Sequence, residues 1–208
     1  MLTIAIDIDG VISPVVNQAA SANHTNTMRS IVRSTSLSYW LTSAQPVPEY
    51  HCWPQDQYRW SVKVMFGTFV AEPVIQLLHE LDANPDVQIL WHSSWRLYAA
   101  DELAPFIGVG QQWPQFATEA EYNGRYSGWW KQRAVSRWLR THASDPSAHL
   151  LWIDDDIKDA DDVLETLGAH PQLTMISPQL RLGLTPEHVE QIRELVRTHD
   201  RPSEEGAA

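Results

Sequence analysis

An α/β fold, a three-layer sandwich around a central parallel sheet with a small inserted cap or flap, is what this sequence predicts, and three observations predict it. Short apolar runs rich in β-branched residues recur along the chain, amphipathic stretches at helical spacing separate them, and carboxylates or hydroxyls follow several of the runs directly. Strands buried on both faces of a parallel sheet read as continuous apolar runs, and the ligand site of such a sheet lies beyond the strands' carboxyl ends.

Leu2 to Ile8 is the first such run, and it ends at Asp9-Gly10. From about 13 to 70 the periodicity disappears among Asn, Ser, Thr, Pro and aromatic residues; only Tyr58 to Val64 reads as strand, so this segment is expected to be an insertion, a cap or a flap. Val74, Leu77, Leu78 and Leu81 follow Pro73 at helical spacing and predict a helix over 72–81, stopped by Asn84-Pro85. Val87 to Trp91 is the next strand. Leu97 to Phe106 predicts a short helix, 108–128 is irregular, and 130–139 is helical again. Leu150 to Ile153 is a further buried strand, with a helix expected from about Asp159 to Leu167. Leu173 to Ile176 is the last strand, and Pro186 to Val196 the last helix, with Thr185 as its N-cap. One domain over 1–200 and a solvated tail over 201–208 are expected, since 208 residues suit a single core with an embellishment.

Composition narrows the class. The sequence is 43% hydrophobic and 20% charged, without an apolar run of the roughly 18 residues that a membrane span requires. Met1 leads straight into the strand pattern with no basic n-region, which predicts no secretory signal. The single cysteine, Cys52, forms no internal disulfide, and no zinc-like Cys/His spacing occurs, so a reducing, cytoplasmic setting is expected. The net charge of −11 opposes extended duplex-DNA binding. That charge is uneven: residues 1–140 hold 12 acids and 10 bases, whereas 141–208 hold 14 acids and 5 bases. A local anionic ligand in the nearly neutral part therefore stays compatible with the total.

Four segments carry chemistry. In Asp7-Ile8-Asp9-Gly10-Val11 two acids leave an apolar strand with one residue between them; strand spacing would put both on one face, where mutual repulsion calls for a cation, magnesium being the simplest. The same letters also suit a plain turn, and the apolar run before them favours a site. Ile89-Leu90-Trp91-His92-Ser93-Ser94 ends a strand in two hydroxyls able to donate to a phosphate oxygen, or simply to close a turn. Lys131, after Gly128-Trp129-Trp130, opens a helix where an ammonium can neutralise phosphate or hold a carboxylate ionised, although lysines are also ordinary helix-surface residues. Leu151-Trp152-Ile153-Asp154-Asp155-Asp156 crowds three acids after a strand; N-capping accounts for one of them, and hard divalent cations suit the set.

Taken in order, these segments resemble the four motifs of the haloacid dehalogenase (HAD) superfamily: DxD after the first strand, Ser or Thr after the second, Lys before a later helix, and an acid pair after the fourth. The resemblance covers about 1–198, least well in the insertion. Trp-His-Ser-Ser-Trp, Trp130-Lys131, Trp-Ile-Asp-Asp-Asp and Gly183-Leu184-Thr185 are most similar to the HAD domains associated with Swiss Army Knife RNA repair proteins. The resemblance implies a HAD-like Rossmannoid fold and a magnesium-dependent phosphohydrolase working through an aspartyl-phosphate. Asp7 would be nucleophile and metal ligand; Asp9 would be general acid and then base, its carbonyl also on the metal; Ser93 and Lys131 would bind the phosphoryl group. Asp154 and Asp155 would complete the metal shell, with Asp156 as alternative to Asp155, and Ser94 as alternative to Ser93. Gly10 and Arg96 would join the substrate site. The retained second acid, Asp9, implies a phosphatase rather than a dehalogenase.

The implied substrate is a nucleotide or an RNA or DNA end, such as a 3′-phosphate, and the chain carries no P-loop of a joined kinase. Exposed rings among Trp40, Trp53, Trp60, Trp95, Trp113, Trp129 and Trp130 could stack on bases, but packing in the core or cap is the expectation for most. Arg29, Arg33, Arg59, Lys63, Arg96 and Arg125 could form a phosphate rim or be ordinary solvated charges. The competing readings are a small-metabolite phosphatase and a non-catalytic HAD-fold binding protein.

Overall fold

Strand β1 (Leu2–Ile6) is buried at every position, as expected of a central parallel strand. In this computed structural model, which describes residues 1–15, 50–61, 64, 68–123 and 129–199, β1 lies between β4 (Val87–Trp91) and β5 (His149–Ile153), with β6 (Leu173–Ile176) at the far side of β5. All pairings in this four-stranded sheet are parallel, in the order β4-β1-β5-β6.

The two-residue period of the strands divides the core into two layers. Leu2, Ile4 and Ile6 of β1, with Leu151 and Ile153 of β5, join one cluster. It also holds Val74, Ile75, Leu77, Leu78 and Leu81 of α1 (Glu72–Asp82), and Val189, Ile192 and Val196 of α6 (Pro186–His199). Ala5, Leu150 and Trp152 face the other way, onto Ala134, Val135, Trp138 and Leu139 of α4 (Trp130–His142) and Val163 of α5 (Asp161–Leu167). Helices therefore cover both faces. Among the described residues no helix is long and apolar enough to cross a membrane.

Several local expectations need correction. β1 ends at Ile6, two residues earlier than the apolar run suggests, because the backbone turns at Ile8, whose carbonyl accepts from both Val11 and Ser13. Asp7 therefore stands just past β1, still tied to the sheet through its amide, and Asp9 lies in the turn rather than in the strand. β2 (Tyr58–Ser61) stops short of Val64 and pairs antiparallel with β3 (Thr68–Ala71), a strand whose four residues run straight into α1 and are too short to show a period. The helix expected over 97–106 is a π turn, Ala99–Leu103, continued by α2 (Ala104–Ile107). The stretch 108–128 contains α3 (Glu119–Asn123). The segment after β5 opens with a 3-10 turn, Asp155–Asp159, before α5. Thr185 does cap α6, its hydroxyl accepting from the His188 amide at 3.5 Å. Residues 16–49 of the expected insertion, and the tail over 201–208, lie outside the described residues.

Candidate active site

The carboxyl ends of β1, β4 and β5 deliver three of the four motifs to one place, and the first turn of α4 delivers the other. Asp7 follows β1 directly, its amide bonding the Ile153 carbonyl of β5 at 3.0 Å, so the sheet ladder itself fixes the residue. Its Oδ1 accepts from the Ile8 amide at 2.7 Å and its Oδ2 from Lys131 Nζ at 2.5 Å. The same ammonium lies 2.6 Å from Asp154 Oδ2. Lys131 is 4% exposed, Asp7 5%, Asp154 0% and Asp155 5%, so the group is charged and nearly dry. Oxygens of Asp7, Asp154 and Asp155 all lie within 4.8 Å of one another.

One ammonium among three carboxylates leaves surplus negative charge, and the ionisation equilibria reflect it. Burial opposes the Lys131 ammonium, but the facing Asp7 and Asp154 carboxylates outweigh that cost and raise it above its usual range. Burial, and then Asp7, push Asp154 up to about 7 against the pull of Lys131. Burial, followed by Asp156 and Asp7, pushes Asp155 up to about 8. A hard divalent cation relieves this kind of crowding, and an all-carboxylate oxygen set suits magnesium.

The neighbouring backbone is shaped for the cluster. Gly10 has φ 70, a left-handed conformation, and a Cβ there would collide with the Asp155 carboxylate. Its place is therefore beside a candidate metal ligand, where the absence of a side chain makes room for Asp155. Asp154 Oδ1 accepts from the Asp156 amide at 3.1 Å, and the Trp152 indole N–H reaches Asp154 Oδ2 at 3.4 Å. Of the two alternatives for the acid pair, Asp155 lies in the cluster and the Asp156 side chain is exposed. At the second motif Ser93 is buried and Ser94 exposed. The Ser93 hydroxyl accepts from the Trp95 amide at 3.3 Å.

Asp9 is half-buried, and its Oδ2 accepts from the Trp95 indole N–H at 2.9 Å. Arg96 pairs with exposed Glu119 and its guanidinium lies 4.8 Å from the Tyr122 ring centroid. Its φ of 53 is unusual for a residue with a side chain and costs on the order of 1–3 kcal/mol, so the turn around it must be held from outside. The holding bonds are Gln115 Nε2 to the Arg96 carbonyl at 3.0 Å and Tyr122 hydroxyl to the Ser93 carbonyl at 3.0 Å.

His92, to which sequence reasoning assigned nothing, is fully buried, packs edge-on against Phe116 and Trp130, and bonds through Nε2 to the Lys131 carbonyl at 3.3 Å. Burial, and then the Lys131 charge, hold it neutral, well below the usual imidazole range. It braces the first turn of α4. Trp95, Tyr122 and Gln115 were also missed as supports; the signal available for Trp95 was its place two residues beyond Ser93 in Trp-His-Ser-Ser-Trp. Trp95 and Trp113 are buried, and Trp53, Trp60, Trp129 and Trp130 are half-buried packing residues. Arg59 pairs with Glu72. Trp40, Arg29, Arg33, Lys63 and Arg125 lie outside the described residues.

An acid following the first strand, a hydroxyl after its neighbour, a helix-borne lysine and an acid pair, all converging at one sheet end, define a HAD-type site. The chain belongs to the HAD superfamily family described as "HAD domain in Swiss Army Knife RNA repair proteins", which matches residues 3–189. Among solved structures it is similar to the HAD domain of effector protein Lem4 from Legionella pneumophila, at 13% identity over 96% of this chain and 94% of that one, with a TM-score of 0.51. A second structure of the same domain aligns at 13% identity over 96% of this chain and 95% of that one, with a TM-score of 0.50. At that identity the likeness speaks to the fold. No curated protein sequence matches the chain. The family points to a phosphatase-type activity, and the acid cluster is compatible with a bound metal.

Proposed function

We propose that this protein is a magnesium-dependent phosphohydrolase in which Asp7 attacks a phosphoric monoester and forms an aspartyl-phosphate. The observation that carries the reading is the buried Asp7 carboxylate, held between the Ile8 amide and Lys131 as a member of a three-carboxylate cluster. Asp7, Asp154 and Asp155, with the Asp9 carbonyl, would hold the magnesium; the carboxylates are close and buried, and burial with mutual repulsion pushes the pKa of Asp154 and Asp155 up, a crowding that a cation would relieve. Bound there, it would offset the repulsion between an anionic nucleophile and an anionic substrate.

The chain's own groups supply the rest. Lys131 holds the Asp7 carboxylate in an ion pair at 2.5 Å and adds positive charge beside the transferring phosphoryl group. As an Asp7 oxygen bonds to phosphorus, the bond from phosphorus to the leaving oxygen breaks, and Asp9 gives that oxygen a proton. Asp9, now a carboxylate, takes a proton from water while the water oxygen attacks phosphorus, releasing inorganic phosphate and restoring Asp7. The hydroxyl of Ser93, or of the neighbouring Ser94, and the Arg96 guanidinium, on release from Glu119, would bind phosphoryl oxygens. Gly10 would join the substrate site, its lack of a side chain leaving room for the Asp155 carboxylate. The reading treats residues 1–200 as one domain, with a cap or flap over about 13–70 and a tail over 201–208.

The substrate of this reading is a nucleotide or an RNA or DNA end, such as a 3′-phosphate; its support is the family's description, which speaks of RNA repair proteins. The test is phosphate release from 3′- and 5′-phosphorylated RNA and DNA oligonucleotides, mononucleotides and sugar phosphates, with and without magnesium. Asp7→Asn, which retains the side chain's volume, should abolish release while the protein stays folded; an active Asp7→Asn variant refutes the mechanism. Preference for sugar phosphates keeps the chemistry and discards the polynucleotide substrate. Phosphate binding without turnover on any of them indicates a non-catalytic binding protein.

A further inference from the structure

The turn that carries Ser93 also brings a second polar group to the site. Trp95 is 4% exposed, yet its indole N–H, 86 residues away in sequence from its partner, bonds Asp9 Oδ2 at 2.9 Å. An indole N–H donates and never accepts, so its partner must be an oxygen offering a lone pair. We propose that Trp95 is a positioning residue for Asp9, holding Oδ2 as the acceptor so that Oδ1 is the oxygen that gives and takes the transferred proton. The inference rests on the reading of Asp9 as acid and base.

The chemistry closes on this assignment. In the acid form Oδ2 is the carbonyl oxygen of the carboxyl and accepts from Trp95, leaving the proton on Oδ1. When phosphorus bonds to Asp7, that proton passes from Oδ1 to the departing oxygen and Oδ2 stays bonded to the indole. When water attacks the aspartyl-phosphate, its proton returns to Oδ1. One hydrogen bond thus serves both halves of the cycle without rearrangement, and the carboxyl is kept from rotating between proton transfers.

The indole is built into place. The Trp95 backbone amide donates to Ser93 Oγ at 3.3 Å, the next residue takes a left-handed φ of 53, and Gln115 and Tyr122 donate to the carbonyls of Arg96 and Ser93. The ring packs in the same cluster as Ile8 and Val11, which flank Asp9 in sequence. The turn therefore sets the spacing between the phosphate-binding hydroxyl and the proton-transfer group. The simpler alternative is a core tryptophan that satisfies its N–H on a convenient oxygen.

Leaving-group dependence separates the two. A general acid matters most when the departing oxygen is strongly basic, so a misplaced Asp9 penalises phenyl phosphate more than p-nitrophenyl phosphate, whose leaving group needs little protonation. With the holoenzyme in magnesium, Trp95→Phe should lower kcat/KM for phenyl phosphate by about tenfold or more and for p-nitrophenyl phosphate by less than about threefold. Replacing Trp95 with 3-benzothienylalanine, which keeps the bicyclic shape and removes the donor, should give the same split in a normally folded protein. Equal losses on both esters, or wild-type kcat/KM in the benzothienyl variant, overturn the role of Trp95 while leaving the phosphatase standing. Absence of release by the wild type, or unchanged release by Asp7→Asn, overturns the mechanism itself and the role of Trp95 with it.

Discussion

Two sets of ion pairs lie near this sheet end, and their surroundings give the same charges different work. Lys131 with Asp7 and Asp154 is almost wholly removed from water, whereas Arg96 with Glu119 is exposed on both sides. In the buried set low polarity strengthens every interaction, and the excess of carboxylates over ammonium cannot be screened. The surface pair is screened by solvent and salt, and contributes little to holding the fold. The buried set therefore stores the capacity to bind a cation, while the exposed one can exchange partners freely.

The largest test of that contrast is Lys131→Met. Removing the ammonium between them leaves Asp7 and Asp154 facing each other, and urea denaturation without divalent cation near neutral pH should show a loss of about 3 kcal/mol. A change no larger than that of a surface substitution would contradict the electrostatic account of the cluster.

A smaller effect is expected from pH. Asp154 and Asp155 titrate near 7 and 8 in the folded protein against an ordinary 3.8, so the folded state holds more protons across that window. Their contribution to stability is fully present below about pH 4 and is lost as pH rises towards 8. In EDTA the melting temperature should fall over this range, less so in Asp155→Asn, and the stabilisation by magnesium should grow with pH. A magnesium-induced shift of equal size at pH 5 and pH 8 would separate metal binding from these carboxylates.

The smallest expected effect belongs to the surface. Glu119→Gln breaks the pair with Arg96 and should leave thermal stability unchanged. Its consequence should appear in KM for phosphorylated substrates at low salt, through the freed guanidinium, and a destabilised variant would show that the pair does structural work after all.

Much of this was legible without coordinates. The parallel sheet followed from uniformly apolar runs, and the placing of Asp7, the Ser93-Ser94 pair and the acids from Asp154 onward from polar residues set where such runs end, because strand termini in an α/β sheet project to one edge, whereas Lys131, which opens a helix, was singled out through the order of the motifs. Where β1 ends, the pairing of β2 with β3, the π turn at Ala99–Leu103 and α3 were not legible, since each depends on partners distant in sequence or is too short for periodicity to register.

The site divides the same way. Residue types and their order determined that acids, a hydroxyl and a lysine would meet at one sheet edge, because topology and strand direction suffice for that. Tertiary structure alone decided that Asp155 rather than Asp156 enters the cluster, that Gly10 makes room for it, and that the Trp95 indole donates to Asp9. Those choices turn on burial, side-chain direction and approaches between residues up to 148 positions apart, from Asp7 to Asp155, and no local pattern encodes them.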